Sequence, residues 1–464
     1  MLNIGSRREM FVDNLLIDRL DGASLKLHPP VPGGVAVTFG ASEGDVDSHR
    51  SGYTTVLKDG DTYRLYYRGR GYERTKRGFE SLTCYAESSD GVHWTKPDLG
   101  LFEVDGSKHN NVILTDGWQF SPFLDTRAGV PLEERYKGNA RHEGGLKGYF
   151  SADGIHWTQS TGDVMVPNAL SNHFDAQSAM FWSEAEQSYV LYARHNEGGK
   201  RATARSTSPD FAVWSEQVPM IYSDTGTSTP SEHLYTNQTH AYFRAPHIYV
   251  STPARIFFDR RTLTPEELAF AEGEFDPQGG KPADCSDGVI MISRAGTAEY
   301  DFTFMESFIR PGIGASNWTS RDNYPTLGVV QTGPSEMSLY INRDYGQKTA
   351  YLERMTLRLD GFSSLNAPYA GGEMTTKPFT FEGVNLAINY STSAAGSIRV
   401  EILDEAGVPI PGYGAQDCRE FIGDEIERIV AWESGSAVGE LAGKAVCLRF
   451  VMKDADVYSF RFGG

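Results

Sequence analysis

Apolar and polar positions alternate in short runs separated by tight turns, a pattern with period two that predicts strands along most of the chain. The run Gly52-Tyr53-Thr54-Thr55-Val56-Leu57 reaches Lys58-Asp59-Gly60-Asp61 and returns as Thr62-Tyr63-Arg64-Leu65-Tyr66-Tyr67-Arg68. Strand, Asp-Gly turn, strand predicts a hairpin. Similar runs are Ala179-Met180-Phe181-Trp182 with Ser188 to Arg194, and Thr239 to Phe243 with Pro246 to Val250. Met337 to Ile341 with Thr356 to Leu359 continues the series. One stretch departs from it: Thr264-Pro265-Glu266-Glu267-Leu268 sets a capping residue, a first-turn proline and two acids ahead of an apolar run, which predicts a short helix.

A longer repeat organises these hairpins. Ser88-Ser89-Asp90-Gly91-Val92-His93-Trp94 returns as Ser151-Ala152-Asp153-Gly154-Ile155-His156-Trp157, and more loosely as Thr207-Ser208-Pro209-Asp210-Phe211-Ala212-Val213-Trp214. The tryptophans lie 63 and then 57 residues apart. Ser-x-Asp-Gly is a turn in which short polar side chains bond back to the chain and Gly takes the left-handed position. One such turn per repeat predicts one sheet per repeat, and hence a β-propeller. The first blade is the hairpin at 52–68 with Leu82 to Glu87. The second carries Asn111-Val112-Ile113-Leu114, Phe123-Leu124-Asp125 and Gly148-Tyr149-Phe150. The third opens at Phe174-Asp175-Ala176-Gln177, the fourth is built on Thr239 to Val250, and the fifth opens at Thr326. Residues 1 to about 45 are expected to complete the last blade. From about 366 the repeat stops, and clean alternation in Ser397 to Leu403, Ala445 to Phe450 and Val457 to Phe462 predicts a sandwich. The expected fold is therefore all-β: a five-bladed β-propeller over 1–365 followed by a C-terminal β-sandwich over 366–464.

Composition agrees with this and narrows the partners. The chain has 464 residues, with 49 glycines, 23 tyrosines and 25 phenylalanines, suited to many short strands. A net charge of −18 argues against nucleic acid or an anionic membrane, and favours a neutral or cationic small molecule or a sugar. No apolar run approaches the roughly 18 residues of a membrane span. The N-terminus has no apolar signal core, so the sequence as it stands reads as cytoplasmic, or as periplasmic or secreted if a signal was removed. Cys84, Cys285, Cys418 and Cys447 read as buried thiols, with Cys418 and Cys447 close enough in sequence to pair within one domain. No cofactor or metal is expected. His173, His233, His240 and His247 lack ligand spacing, and His142-Glu143 is not extended to His-Glu-x-x-His. Gly40-Ala41-Ser42-Glu43-Gly44 matches a nucleophile-elbow string without the helix that must follow it.

In a propeller the first strand of each blade lines one axis, so acids near the strand starts converge at one mouth. The candidates are Asp45, Asp47, Asp125, Asp175, Glu232, Asp287 and Glu306. Most acids at strand ends are solvated turn formers. Asp125 and Asp175 stand out because each lies within an apolar strand pattern, where a carboxylate needs a partner or a job. Paired carboxyls are what glycosidic cleavage needs, one to protonate the leaving oxygen and one to attack or activate water. Asp125, Asp175, Glu232 and Asp47 are thus the catalytic candidates. Tyr53, Arg50, Asn237, His240, Arg244, Trp318, Arg321 and Glu306 are the candidates for binding sugar.

At these residues the chain resembles the five-bladed propeller glycosidases of glycoside hydrolase families 32, 43, 62 and 68, and more closely the bacterial family-32-like glycosidases. The strings that carry the resemblance are Ser121-Pro122-Phe123-Leu124-Asp125, Glu133-Glu134-Arg135-Tyr136-Lys137 and Phe174-Asp175-Ala176-Gln177. Glu232-His233-Leu234-Tyr235-Thr236-Asn237-Gln238 and Glu306-Ser307-Phe308-Ile309-Arg310-Pro311-Gly312 add to them. The resemblance implies an aspartate at the start of blade one, a stabilising aspartate in blade two, which is Asp125, and an acid glutamate, which is Glu232. It departs in blade one, where Tyr53 stands in place of the aspartate, so the nucleophile or base must come from Asp47 or Asp175. The expected function is hydrolysis of a glycoside or oligosaccharide, by association a furanoside such as a fructoside or arabinoside. The alternatives are a glycan-binding propeller without catalysis, and a phosphorylase or transglycosidase.

Overall fold

The computed structural model describes residues 1–40, 46–69, 82–168, 174–260, 262–264, 266–267 and 284–464. Asp45, His173 and most of the Gly40 to Gly44 string lie outside these residues. The chain divides into two compact units, Pro30–Thr356 and, separately, Met1–Pro29 with Leu357–Gly464. This differs from a boundary at 365. Residues 2–27 complete no blade: Leu2–Gly5, Arg8–Met10, Ile17–Asp21 and Ser24–Leu27 pair with strands of the C-terminal unit.

Within Pro30–Thr356 the described strands form six antiparallel sheets of three to five strands and one parallel pair, Ile221–Tyr222 with Glu299–Tyr300; five of the antiparallel sheets, I to V, follow one another along the chain. Sheet I runs Gly52–Asp59, Thr62–Arg68, Thr83–Ser88, Val112–Leu114. Val112–Leu114 is thus the outer strand of the first sheet, not part of the second. Sheet II runs Trp118–Leu124, Tyr136–His142, Gly145–Ser151, Thr158–Gln159. Sheet III runs Ala179–Ser183, Ser188–Glu197, Lys200–Ser208, Val218–Pro219. Sheet IV holds His240–Tyr242, Ala245–Ser251 and Met291–Arg294. Sheet V pairs Tyr324–Pro325 with Glu336–Arg343, then Tyr351–Arg358, and takes Val31–Thr38 as its last strand, so this part of the N-terminal segment closes it as expected. A smaller sheet of His233–Leu234, Ala254–Phe257 and Cys285–Gly288 prolongs the sheet IV hairpin.

The first strands are neighbours in series. That of sheet I packs beside that of II, II beside III, and III beside IV. Gln238 Nε2 donates to Pro325 O, linking IV to V. Leu327 N donates to Thr54 O and Val56 N to Leu327 O, tying V back to I.

The repeated turn is scaffold. Ser88 Oγ accepts from Gly91 N, and Asp90 Oδ1 accepts from the backbone N–H groups of Val92 and His93. Ser151 with Asp153 repeats these bonds, and Asp210 repeats the Asp part. Gly91 and Gly154 have φ of +73° and +78°, and Phe211 takes the same left-handed place with φ +70°. Each turn joins the third strand of its sheet to the fourth, and the first two receive a neighbour's tyrosine: Tyr340 Oη donates to Gly91 O, and Tyr66 Oη to Gly154 O. Asp90, His93, Asp153 and His156 therefore sit on outer hairpins. Thr264 and Glu267 exchange the two bonds of a capping box at the start of the expected helix, most of which lies outside the described residues.

The other unit is one ten-stranded sheet wrapped on an apolar core of Phe11, Phe379, Phe381, Trp432, Phe450, Phe460 and Phe462. Its long strands Asn385–Asp404 and Val446–Gly463 pair along most of their length, and their alternation is the one read from the sequence. All four cysteines are buried free thiols, so Cys418 and Cys447 do not pair.

Candidate functional site

Strand direction defines two ends of the axis. At the ends of the first strands, Thr55 to Lys58, Pro122 to Leu124, Met180 to Trp182, His240 to Phe243 and Leu327 to Gln331 line a largely apolar cavity of about 690 Å³. His240 lies here, its Nδ1 paired with Gln238 O and burial lowering its pKa. Arg244 lies in the next turn, between His240–Tyr242 and Ala245–Ser251. His240 opens the first strand of sheet IV but lines this cavity, and neither residue lines the pocket at the opposite end.

Between the two ends a buried polar belt crosses the axis. Gln177 Nε2 donates to Thr55 Oγ1 at 2.7 Å, and Gln238 Nε2 donates to Gln177 Oε1 at 3.0 Å and to Pro325 O at 2.9 Å. These amides tie four of the first strands or their lead-ins together.

At the strand starts lies the mouth. Its floor is a narrow pocket of about 30 Å³ lined by Gly52, Tyr53, Arg68, Tyr235, Arg321, Tyr324, Asn342 and Tyr345. The backbone there is strained in every sheet: Tyr53, Gln119, Phe174, Gln238 and Asn323 are non-glycine residues with φ between 49° and 62°, as is Arg321 at 61°. Left-handed non-glycine backbone costs on the order of 1–3 kcal/mol per residue and gathers where function needs it.

The mouth is rich in arginine for a reason of register. In an antiparallel hairpin the second strand ends where the first begins, so its last residues reach the same level. Arg68, Arg141, Arg194 and Arg343 each stand at or near that end, in Thr62–Arg68, Tyr136–His142, Ser188–Glu197 and Glu336–Arg343. Arg68 lies 4.9 Å from the Tyr53 ring and donates to Arg50 O and Tyr345 Oη. Arg194 lies 4.4 Å from the Tyr235 ring and donates to the carbonyls of Asp175 and Tyr235. Arg201 stands 5.0 Å from the same ring, and the Tyr324 ring lies 5.3 Å from it, tilted by 43°.

Asp175 faces this cluster. Its side chain is 55% exposed, with Oδ1 3.2 Å from Arg141 and Oδ2 3.6 Å from Arg194. The phenol of Tyr235 has a lowered pKa: burial works to raise it, but Arg194, Arg321 and Arg201 together outweigh burial and the Asp175 charge. Arg321 is pushed up, since the phenols of Tyr235, Tyr345, Tyr324 and Tyr53 outweigh its burial. Behind the mouth, burial and the nearby Asp344 hold the Asp322 carboxyl well above its usual range.

The other sequence candidates are elsewhere. Asp125 does not reach the mouth. It follows the end of its strand, fully buried, with Oδ2 2.8 Å from Lys137 Nζ and 2.6 Å from Tyr189 Oη. Asp47 is buried against Lys96 Nζ at 2.5 Å and Tyr67 Oη at 3.0 Å. Both side chains are buried in ion pairs: Asp125 with Lys137 of sheet II, accepting also from the Tyr189 hydroxyl of sheet III, and Asp47, ahead of sheet I, with Lys96. Glu232 is part-exposed, 2.9 Å from Arg255, which also grips Asp287. Asn237 is buried and donates to Tyr192 O. Arg50 lends its carbonyl to Arg68, Trp318 donates to Gly312 O, and Glu306 is exposed. Of the residues singled out for sugar binding, Tyr53 and Arg321 line the floor. Sequence reading missed the roles of Arg68, Arg194, Arg201, Tyr324, Tyr345 and Gln177. The signal for two of them, Arg68 and Arg194, was an arginine recurring at the end of second strands. Among the described residues, no group of three or more His, Cys, Asp or Glu is placed to hold a metal ion.

No protein-family model and no curated protein matches the sequence. Solved structures similar to the chain include an N-acetylgalactosamine deacetylase from F. plautii in complex with blood group B trisaccharide, at 12% identity and TM-score 0.45, covering 72% of this chain and 96% of that one. A glycoside hydrolase family 43 arabinoxylan arabinofuranohydrolase from Bacillus subtilis, in complex with cellotetraose, is similar at 14% identity and TM-score 0.40, covering 92% and 99%. The GH32 beta-fructofuranosidase of Bombyx mori is similar at 10% identity and TM-score 0.37, covering 94% of each chain.

Proposed function

We propose that the chain is a glycoside hydrolase built on a five-bladed β-propeller over Pro30–Thr356, with a β-sandwich formed by Met1–Pro29 and Leu357–Gly464, and that it cleaves an oligosaccharide or glycoside at the axial mouth. Five successive sheets, first strands tied from V back to I, and a left-handed residue at each strand start support the architecture.

The observation that carries the activity is Asp175: a carboxylate open to solvent, gripped by two guanidiniums and beside the rings of Tyr53 and Tyr235. In this reading Asp175 supplies one carboxyl of the catalytic pair, attacking the anomeric carbon or activating water. Glu232, three residues ahead of Tyr235, supplies the other. The test is Asp175→Asn and Glu232→Gln assayed on aryl glycosides and oligosaccharides, fructosides and arabinofuranosides included. Full turnover in both variants sinks the assignment.

A second reading, glycan binding without catalysis, is favoured by one specific observation. Asp47 and Asp125 are sequestered, and among the described residues no second carboxylate shares the arginines of Asp175. It predicts sugar binding by calorimetry with no product on long incubation.

A further inference from the structure

The net charge of −18 favours neutral or cationic ligands, but the mouth reverses that sign locally. Arg194, Arg201 and Arg321 converge on one ring, that of Tyr235. Among the described residues, neither Arg201 nor Arg321 makes an ion pair or a side-chain hydrogen bond, although both are half-buried. Both guanidiniums keep contact with water while partly desolvated, so each is open to a ligand anion and to the charge-assisted hydrogen bonds it would accept. Tyr324 Oη is likewise buried without a hydrogen-bond partner among the described residues, on the floor that Arg321 also lines. Size narrows the ligand. A pocket of about 30 Å³ holds roughly two water-sized atoms, the two oxygens of a carboxylate, and leaves a sugar ring outside it.

We propose that the floor of the mouth binds the carboxylate of an acidic sugar unit, a uronate, through Arg321 and Tyr324, with Arg201 and Arg194 supplying the surrounding positive field. The planar fork of Arg suits a carboxylate held edge-on, and the aromatic rings around it suit the apolar face of the sugar. The lowered pKa of Tyr235 reports the same field. This deepens the reading of the mouth as a sugar site and rests on it for the location, not for catalysis.

The experiment is calorimetric titration of the full chain with glucuronate and galacturonate, with glucose and galactose, and with inorganic phosphate. Variants are Arg201→Gln, Arg321→Gln and the charge-keeping Arg201→Lys and Arg321→Lys, with each variant's folding checked by circular dichroism. The uronates are expected to bind at least tenfold more tightly than their neutral counterparts at low salt, with the advantage shrinking as salt rises. The Gln variants lose that preference and the Lys variants keep a part of it. Equal binding of acidic and neutral sugars, a preference unchanged in both Gln variants, or no binding of uronates overturns the proposal. Tight phosphate binding without uronate preference also overturns it, assigning the site to the free oxyanion. Hydrolysis is read separately. Uronate binding without turnover of any glycoside refutes the hydrolase and leaves the carboxylate site standing, whereas turnover of neutral glycosides with no uronate binding does the reverse.

Discussion

Asp125 and Asp175 invite comparison because each stands close behind a phenylalanine at the edge of a first strand, yet they occupy opposite ends of the axis. Asp125 follows Trp118–Leu124, where the chain is packed between sheets II and III; Lys137 and Tyr189 donate to its Oδ2 and the Arg127 N–H to its Oδ1. Asp175 precedes Ala179–Ser183, where second strands deliver Arg141 and Arg194 and water has access. The difference teaches that the chemistry of an acid in this fold is set by which end of its strand it occupies. One end joins sheets, and the other opens to solvent.

The sharpest way to break this comparison is to swap the expected losses. Asp175→Asn should lower kcat/KM by about 10²–10⁴-fold, while its stability in urea stays within about 0.5 kcal/mol of the parent. Asp125→Ala should do the opposite, leaving buried Lys137 with Glu134 as its remaining carboxylate, at a cost of about 1–3 kcal/mol in denaturant unfolding. If the Asp125 variant folds with unchanged stability, or the Asp175 variant keeps full activity, the division of roles is wrong.

Smaller effects sharpen it. Gly154→Ala forces a side chain onto a residue with φ +78° and against Tyr66 Oη, and should cost about 1–2 kcal/mol of stability with the mouth untouched. The smallest effect is a titration. By ultraviolet difference absorption the Tyr235 phenolate should form below the ordinary phenol range, since three guanidiniums favour the charged form. Arg201→Gln removes one of them and should move that transition to higher pH. Asp175→Asn removes a carboxylate that opposes ionisation and should move it to lower pH. A Tyr235→Phe control that leaves the transition in place would show that another tyrosine produces it.

The sequence carried the local structure well because its signals are local. Ser88-Ser89-Asp90-Gly91 and its copies close their turns with their own side chains, so the motif reads the same in isolation as in the fold. The alternation in Ser397 to Leu403 likewise reports a one-sided environment without regard to which strand lies beside it. Strand membership was less legible. Val112–Leu114 reads as the opening of a second sheet and is the outer edge of the first, because pairing partners are chosen by tertiary packing.

The all-β class, the turns, and the need of an acid at Asp175 for a purpose were legible in the chain alone. Tyr53 and Arg321 were also visible as binding candidates. Only the tertiary structure decided that Asp125 and Asp47 are locked in buried ion pairs, since Lys137 and Lys96 carry no sequence mark of their partners. It also decided that Arg194 and Arg201, from adjacent strands of sheet III, meet Arg321, from the segment ahead of sheet V, around Tyr235. Composition gave an acidic chain and could not give a cationic mouth. Net charge sums over the whole surface, whereas a ligand meets only the few groups that strand register brings to one end of the axis.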